Sequence, residues 1–211
     1  MRLVLASHNA KKLAELRGLL GDLGLAVQSQ IDLGLAESVE PHQSFIENAL
    51  LKARHAAAAA GSAAIADDSG LCVDALAGAP GVGSAQFAPV VAAELKALER
   101  EAQRALQDAA NNALLLQQLH GVAERSARFV CTLVAVRHAA DPEPLVAVGR
   151  WPGQILPVPR GAYGFGYDPL LFIPELACTV AEMDSALKNK HSHRARAMLQ
   201  MRLLMGEAWG L

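Results

Sequence analysis

The stretch ARFVCTLVAVRHAADPEPLVAVGRW, residues 127–151, decides the fold class. ARFVCTLVAVRH (127–138) alternates with valine and phenylalanine, the composition of a strand that packs on a pleated surface. Asp141-Pro142-Glu143-Pro144 cannot prolong it, because proline has no amide donor and a fixed φ, so the chain turns there. LVAVGRW (145–151) then reads as a returning strand. A short turn can join only antiparallel neighbours, since a parallel return needs a crossover of about a dozen residues or more. A further strand is expected around Gly153 to Val158.

Upstream of this hairpin the pattern changes. RLVLA (2–6) is a short apolar run, followed by Ser7-His8-Asn9 and then by Leu13, Leu16, Leu19, Leu20 and Leu23 at helical spacing. Residues 44–60 read as a second helix, with Ser44 as N-cap, Glu47 three residues on as in a capping box, and Gly61 as the stop. AAIA (63–66) is a short buried strand running into Asp67-Asp68-Ser69-Gly70, LCVDAL (71–76) alternates as another, and residues 77–86 form a Gly/Pro loop. Residues 90–119 look helical with a diffuse apolar stripe. LLFI (170–173) is a strand, and a final helix is expected over 192–205. Strands and helices alternate early and a hairpin dominates later, so the expectation is a mixed α/β sheet in a single domain spanning 1–211. Internal repeats and linker-like segments are absent from the sequence.

Composition excludes several classes. The 211 residues carry 19 Lys plus Arg against 21 Asp plus Glu, a net charge of −2. That balance opposes a general electrostatic grip on nucleic acid or an anionic membrane. No apolar run approaches the ~18 residues of a membrane span. The three cysteines are far apart and form no Cys-x-x-Cys pair, which fits free thiols in a reducing compartment, so a soluble cytoplasmic protein is expected. Aromatics are scarce, with five Phe, two Trp and two Tyr, yet Tyr163, Phe165, Tyr167 and Phe172 crowd one loop.

Five motifs can carry chemistry. Ser7-His8-Asn9-Ala10-Lys11-Lys12 joins a strand to a helix start, where amides and the helix dipole favour an anion; it lacks the glycines of a Walker A loop and equally reads as an ordinary cap. Asp67-Asp68-Ser69-Gly70 sets two carboxylates at the end of a buried strand, where strand geometry sends them to opposite faces. Either one suits Mg²⁺ ligation or general base work, or caps a turn. Lys52 on the second helix and Glu40 before Pro41 can join that pair or merely face solvent. In Gly164-Phe165-Gly166-Tyr167-Asp168-Pro169 the glycines allow close backbone approach, and Phe165 can stack on a planar base. Lys188 to Arg196 is a basic run ending at a helix start, where cations are unfavourable unless an anion joins them.

Taken in order, LASHNAKKLAEL, FIENALLKARHAA, IADDSGLCVDAL, GAPGVGSAQFA, GFGYDPLLF and SHRARA resemble the inosine/xanthosine triphosphate pyrophosphatase family across nearly the whole chain. The resemblance implies a long twisted central sheet flanked by helices, two lobes with an active-site cleft between them, and a homodimer. It implies Mg²⁺-dependent hydrolysis of non-standard purine nucleoside triphosphates (ITP, dITP, XTP) to the monophosphate and pyrophosphate. Carried over by motif, Ser7, Asn9, Lys12 and Lys52 would hold the triphosphate. Asp68 would be general base and metal ligand, and Glu40 the second metal carboxylate. Ser69 would contact substrate. Phe165 would stack on the purine, Gly166, Tyr167 and Asp168 would complete the pocket, and Lys188, His193 and Arg194 would read the 6-oxo edge. Tyr163 and Phe172 are expected to pack and hold the loop.

The chain also departs from the family pattern. Gln86 and Phe87 replace an Arg-Tyr pair, Ala195 replaces a glycine, His191 stands where an apolar residue is usual, and residues 88–112 do not match the usual stretch. These departures keep open a catalytically impaired nucleotide-binding regulator, or a pyrophosphatase for other nucleoside triphosphates.

Overall fold

A computed structural model describes residues 1–20, 24–90 and 99–211. It divides into two compact units. The first comprises Met1–Ser69, Val130–Arg150 and Asn189–Leu211, and the second Gly70–Phe129 and Trp151–Lys188. Seven strands form one sheet in the order β2-β1-β3-β4-β5-β6-β7. They are β1 (Arg2–Leu5), β2 (Ala26–Ser29), β3 (Ala63–Val73), β4 (Ser126–Val136), β5 (Leu145–Ile155), β6 (Leu171–Ile173) and β7 (Cys178–Thr179). β1 pairs parallel with β2 and β3, whereas β6 pairs antiparallel with β5 and β7. The expected mixed sheet is therefore observed.

In the first unit, helices cover both faces of the sheet. α1 (Ala10–Leu20) and α5 (His193–Trp209) bury Leu13, Leu16, Leu20, Ala197, Met198, Met201 and Met205 against Leu3, Leu5, Ala63 and Ile65. α2 (Phe45–Ala60) lays Ala49, Ala53, Ala56 and Ala57 on Val4, Ala64, Ala66, Val134 and Val136. Along β3, odd residues thus face α1 and α5 and even residues face α2, the period-two alternation of a strand. Ser44 caps α2 through its Oγ, which accepts from the Glu47 amide at 3.4 Å, and Gly61 ends it at φ +58°, as the sequence predicts. At Gly149 on β5 a Cβ would lie 1.9 Å from the His193 carbonyl oxygen, so only glycine lets the start of α5 lie there.

In the second unit α3 (Arg100–Gln118) packs Leu115, with Leu119 just beyond it, among Leu71, Val73, Phe129, Trp151, Leu170, Leu171 and Ile173. The hairpin turn after β4, in the first unit, is held by buried Asp141, whose carboxylate accepts from the Arg137 amide at 2.7 Å and the Glu143 amide at 3.0 Å.

Several boundaries differ from the sequence reading. β3 runs unbroken through Asp67-Asp68-Ser69-Gly70 to Val73, because partners for both carboxylates meet them inside the strand. β5 likewise continues through Pro152 and Gly153 to Ile155 rather than stopping at Trp151. Residues 74–76 form a 3-10 turn, not a strand end. The short β2 and α4 (Ser185–His191) carried no periodic signal. The final helix extends past Met205 to Trp209. Leu23 and residues 91–98 of the expected long helix lie outside the described residues.

Candidate active site

The first unit gathers a dense charged cluster where β1 and β3 meet α1 and α2. Between β1 and α1, the Asn9 Oδ1 accepts from the amides of Lys11 (3.0 Å) and Lys12 (3.2 Å), and the Asn9 amide donates to Ser7 Oγ at 3.2 Å. Asn9 is thus the helix cap that aims the first turn, and Lys12 projects from that turn to Asp67, Nζ to Oδ2 at 3.0 Å.

The alternation of β3 separates the two aspartates. Asp67, on the α1/α5 side, accepts from the Ser69 hydroxyl at 2.8 Å and lies 3.5 Å from the Arg194 guanidinium, which also pairs with Glu15. Asp68, on the α2 side, accepts from Asn48 Nδ2 at 3.2 Å, from Lys52 Nζ at 3.4 Å and from the Ser69 amide at 3.1 Å. Lys52 Nζ also lies 3.2 Å from Glu40 Oε1, so one ammonium joins both expected metal carboxylates.

Asn48 escaped the sequence reading. Its Oδ1 accepts from the His42 amide at 3.0 Å and its Nδ2 donates to the His42 carbonyl at 3.1 Å, tying the 40–42 loop to Asp68. Two signals in the sequence could have found it: it lies within FIENALLKARHAA, and it stands four residues before Lys52, on the same helix face.

The adjacent carboxylates titrate in opposite senses. Burial alone would raise Asp67, but Lys12, Arg194 and Lys52 overcome it and hold the carboxyl well below the usual range. Burial, reinforced by Glu40 and Asp67, pushes Asp68 up to about 6 although Lys52 and Lys12 oppose it. Burial disfavours the Lys52 ammonium, yet Asp68, Asp67 and Glu40 outweigh it and raise its pKa, so the cation persists. Asp67 is therefore a fixed anion, while Asp68 exchanges its proton near neutral pH. Two neighbouring carboxyls pushed apart in this way are what general acid–base work requires.

Glu40 and Asp68 are hard oxygen donors converging on one cation, Lys52. Among the described residues no group of three or more His, Cys, Asp or Glu could hold a metal ion. A donor set of two carboxylates fits Mg²⁺ shared with phosphate oxygens and water rather than an all-protein cage.

The second unit holds the aromatic loop. Phe165 is half-buried, with Lys188 Nζ 4.6 Å from its ring centroid. Asp168, 3% exposed, accepts from Lys188 Nζ at 2.7 Å and from the Phe165 amide at 3.0 Å. Gly164 takes φ +80°, and a Cβ there would sit 2.0 Å from Asp168 Oδ2. Asp168 thus shapes the loop and sets the lysine against the ring.

Three side chains do not sit as the sequence reading placed them. Tyr167 is buried in the core of the second unit, its hydroxyl donating to the Ser84 carbonyl at 3.0 Å, so its ring anchors the loop rather than walling a pocket. Arg194 is 1% exposed and engaged by Glu15 and Asp67, so its guanidinium braces the charged cluster instead of presenting itself to a base. Tyr163 is 67% exposed and does not pack, whereas Phe172 is half-buried under Arg160. Lys188 belongs to the second unit, while buried His193 and Arg194 belong to the first.

A mixed α/β sheet bearing a buried, near-neutral carboxylate between lysines, together with a glycine-flanked aromatic loop, defines a recognisable class of α/β proteins. The chain belongs to the Ham1 family, whose profile matches residues 3–203. A dITP/XTP pyrophosphatase of Leptothrix cholodnii is 63% identical over 211 residues, all of both chains. Another dITP/XTP pyrophosphatase, from Methylibium petroleiphilum, is 63% identical over 209 residues, covering 99% of each. The solved HAM1 protein of Coxiella burnetii superposes with a TM-score of 0.86 at 39% identity, covering 99% of this chain and 100% of its own.

Proposed function

We propose that this protein hydrolyses non-standard purine nucleoside triphosphates, namely ITP, dITP and XTP, to the monophosphate and pyrophosphate, and so clears them from the nucleotide pool. The observation that carries the reading is Asp68, a carboxylate raised to about 6 and held by Asn48 and Lys52. A base of that strength is deprotonated at neutral pH and still accepts a proton from water as it attacks. The 63% identity to a dITP/XTP pyrophosphatase supports the substrate class.

Asp68 takes the proton of the attacking water as the α–β anhydride bond breaks. Lys12 and Lys52 neutralise charge on the phosphates, and the Ser7–Asn9 loop presents the α1 N-terminus to them. Ser69 contacts substrate beside the two aspartates, to which its hydroxyl (Asp67) and its amide (Asp68) donate in the structure. Glu40 and Asp68 would hold Mg²⁺, which when bound neutralises and orients phosphate oxygens. Phe165 stacks on the base against Lys188, and Gly166 and Asp168 keep that ring in place. Lys188 and His193 read the 6-oxo edge. A donor facing position 6 accepts an oxo group and rejects an amino group, whose own hydrogens would oppose it.

The family resemblance also supports a homodimer, which light scattering measures directly, and a cytoplasmic location. Among the described residues no helix is long and apolar enough to cross a membrane. The test of the activity is pyrophosphate release from ITP, dITP, XTP, ATP and GTP, with and without Mg²⁺. Turnover of the first three well above ATP, and only with Mg²⁺, is expected. Equal rates on all five would refute the specificity, and tight ITP binding without turnover would establish a regulator instead.

A further inference from the structure

We infer that Asp108 and Asn112 on α3 are positioning residues for base selection. They clamp the Gly166 peptide from one helix face and so fix the angle of the Phe165 ring. The inference rests on the reading that Phe165 stacks on the base. The Gly166 amide donates to Asp108 Oδ2 at 2.8 Å, and Asn112 Nδ2 donates to the Gly166 carbonyl at 3.0 Å. The two residues are four apart and share a helix face, so a single rigid element grips both polar ends of one residue. Gly166 sits at φ +61°, a conformation with no side chain of its own to lock it. On the other side of the ring's own backbone, the Phe165 amide is held by Asp168.

α3 is itself fixed firmly enough to act as a reference. Asn111 Oδ1 accepts from the Ala88 amide at 2.8 Å, while its Nδ2 donates to the carbonyls of Ser84 (3.2 Å) and Ala85 (3.3 Å). Ser84 also receives the Tyr167 hydroxyl, closing a circuit from α3 through residues 84–88 back to the aromatic loop. Among the described residues, the buried Asn112 Oδ1 has no hydrogen-bond partner. The C-terminal part of the segment that departs from the family pattern, QDAANN at 107–112, is therefore part of the base-recognition apparatus.

The test compares Asp108→Ala, Asp108→Asn, Asn112→Ala and Phe165→Ala in steady-state kinetics on ITP and ATP, with melting temperatures. Loss of either clamp bond is expected to raise the KM for ITP about tenfold and narrow the ITP/ATP preference, with kcat within about twofold. Asp108→Asn retains an oxygen acceptor for the Gly166 amide and is expected to restore the KM. Melting temperature alone falling, with KM and the ITP/ATP ratio unchanged, would reduce both residues to structural supports and overturn the inference. If Phe165→Ala raises KM while the α3 variants do not, the stacking reading stands and the clamp falls. If Phe165→Ala leaves KM unchanged, both fall. Asn112→Ala removes only the carbonyl contact, so it decides the matter even if Asp108→Ala does not fold.

Discussion

Replacing Asp68 by Asn is expected to abolish turnover and, in the same step, stabilise the fold. The folded protein holds Asp68 at about 6 against an ordinary value of 3.8, chiefly through burial and then the neighbouring Glu40 and Asp67. A tenfold change in proton affinity is worth about 1.4 kcal/mol, so the charged carboxylate costs at most about 3 kcal/mol at neutral pH. Asn has no charge to desolvate, but its NH₂ must face one of the three donors now pointing at the carboxylate, those of Asn48, Lys52 and Ser69. That clash returns part of the gain, leaving roughly 1–2 kcal/mol, or about 2–8 °C in Tm for a chain of this size.

The sign follows from linkage. Between about pH 4 and 6 the folded wild type binds a proton that the unfolded chain does not, so its stability falls as pH rises through that window and is flat above it. The variant's advantage must therefore be full above pH 6 and, since the clash does not depend on pH, be gone or reversed by about pH 4. Thermal unfolding of both proteins at pH 7.5 and 4.5, in EDTA without nucleotide, reads it directly. Pyrophosphate release measured alongside should fall by about 10²–10⁴. A variant that melts at or below the wild-type temperature at pH 7.5, or whose advantage is the same at both pH values, would refute the assignment of Asp68 as a destabilised, working base.

Further outcomes follow from the same contacts. The kcat/KM for ITP should decline on the acid side, because Asp68 must be deprotonated to act, and the limb should lie below about 6 where Mg²⁺ shares that carboxylate. In Lys52→Met that acidic limb should move to higher pH, since the cation that lowers Asp68 is gone and Glu40 remains to oppose its charge; an unmoved limb would exclude Asp68 as the titrating group. Asp141→Ala should cost roughly 2–3 kcal/mol of stability by unfolding in urea, through two backbone bonds lost at the hairpin turn, with kcat unchanged. Gly149→Ala should cost more than about 3 kcal/mol or prevent folding, because the new Cβ collides with the His193 carbonyl at 1.9 Å and the start of α5 has to move; wild-type stability would show that this approach is looser than described.

The fold was legible where local chemistry agrees with tertiary context. The Asp-Pro-Glu-Pro turn, the Ser44/Glu47 cap with Gly61 and the leucine stripe of α1 each announce their element, and each is found. The Asp67-Asp68-Ser69-Gly70 run misled because polarity reads as the end of a strand. Its carboxylates are buried instead, paired with lysine, arginine and asparagine from helices remote in sequence. The opposite facing of the two aspartates followed from strand geometry alone, but their opposite proton affinities needed the partners on each face. Arg194 and Tyr167 show the limit of a motif. It locates a residue in the chain, yet Glu15 and Asp67 turn the guanidinium inward, and Ser84 draws the tyrosine into the core. Asn48, Asp108 and Asn112 carry no motif weight, because each acts through contacts with a residue far along the chain.

The substrate preference is read most directly by placing equimolar ITP and ATP in one reaction with Mg²⁺ and following it by ³¹P NMR. ITP is expected to disappear first, giving pyrophosphate and monophosphate in equal amounts, while ATP persists. ATP consumed at the same rate, or orthophosphate and a diphosphate as first products, would contradict the proposed function.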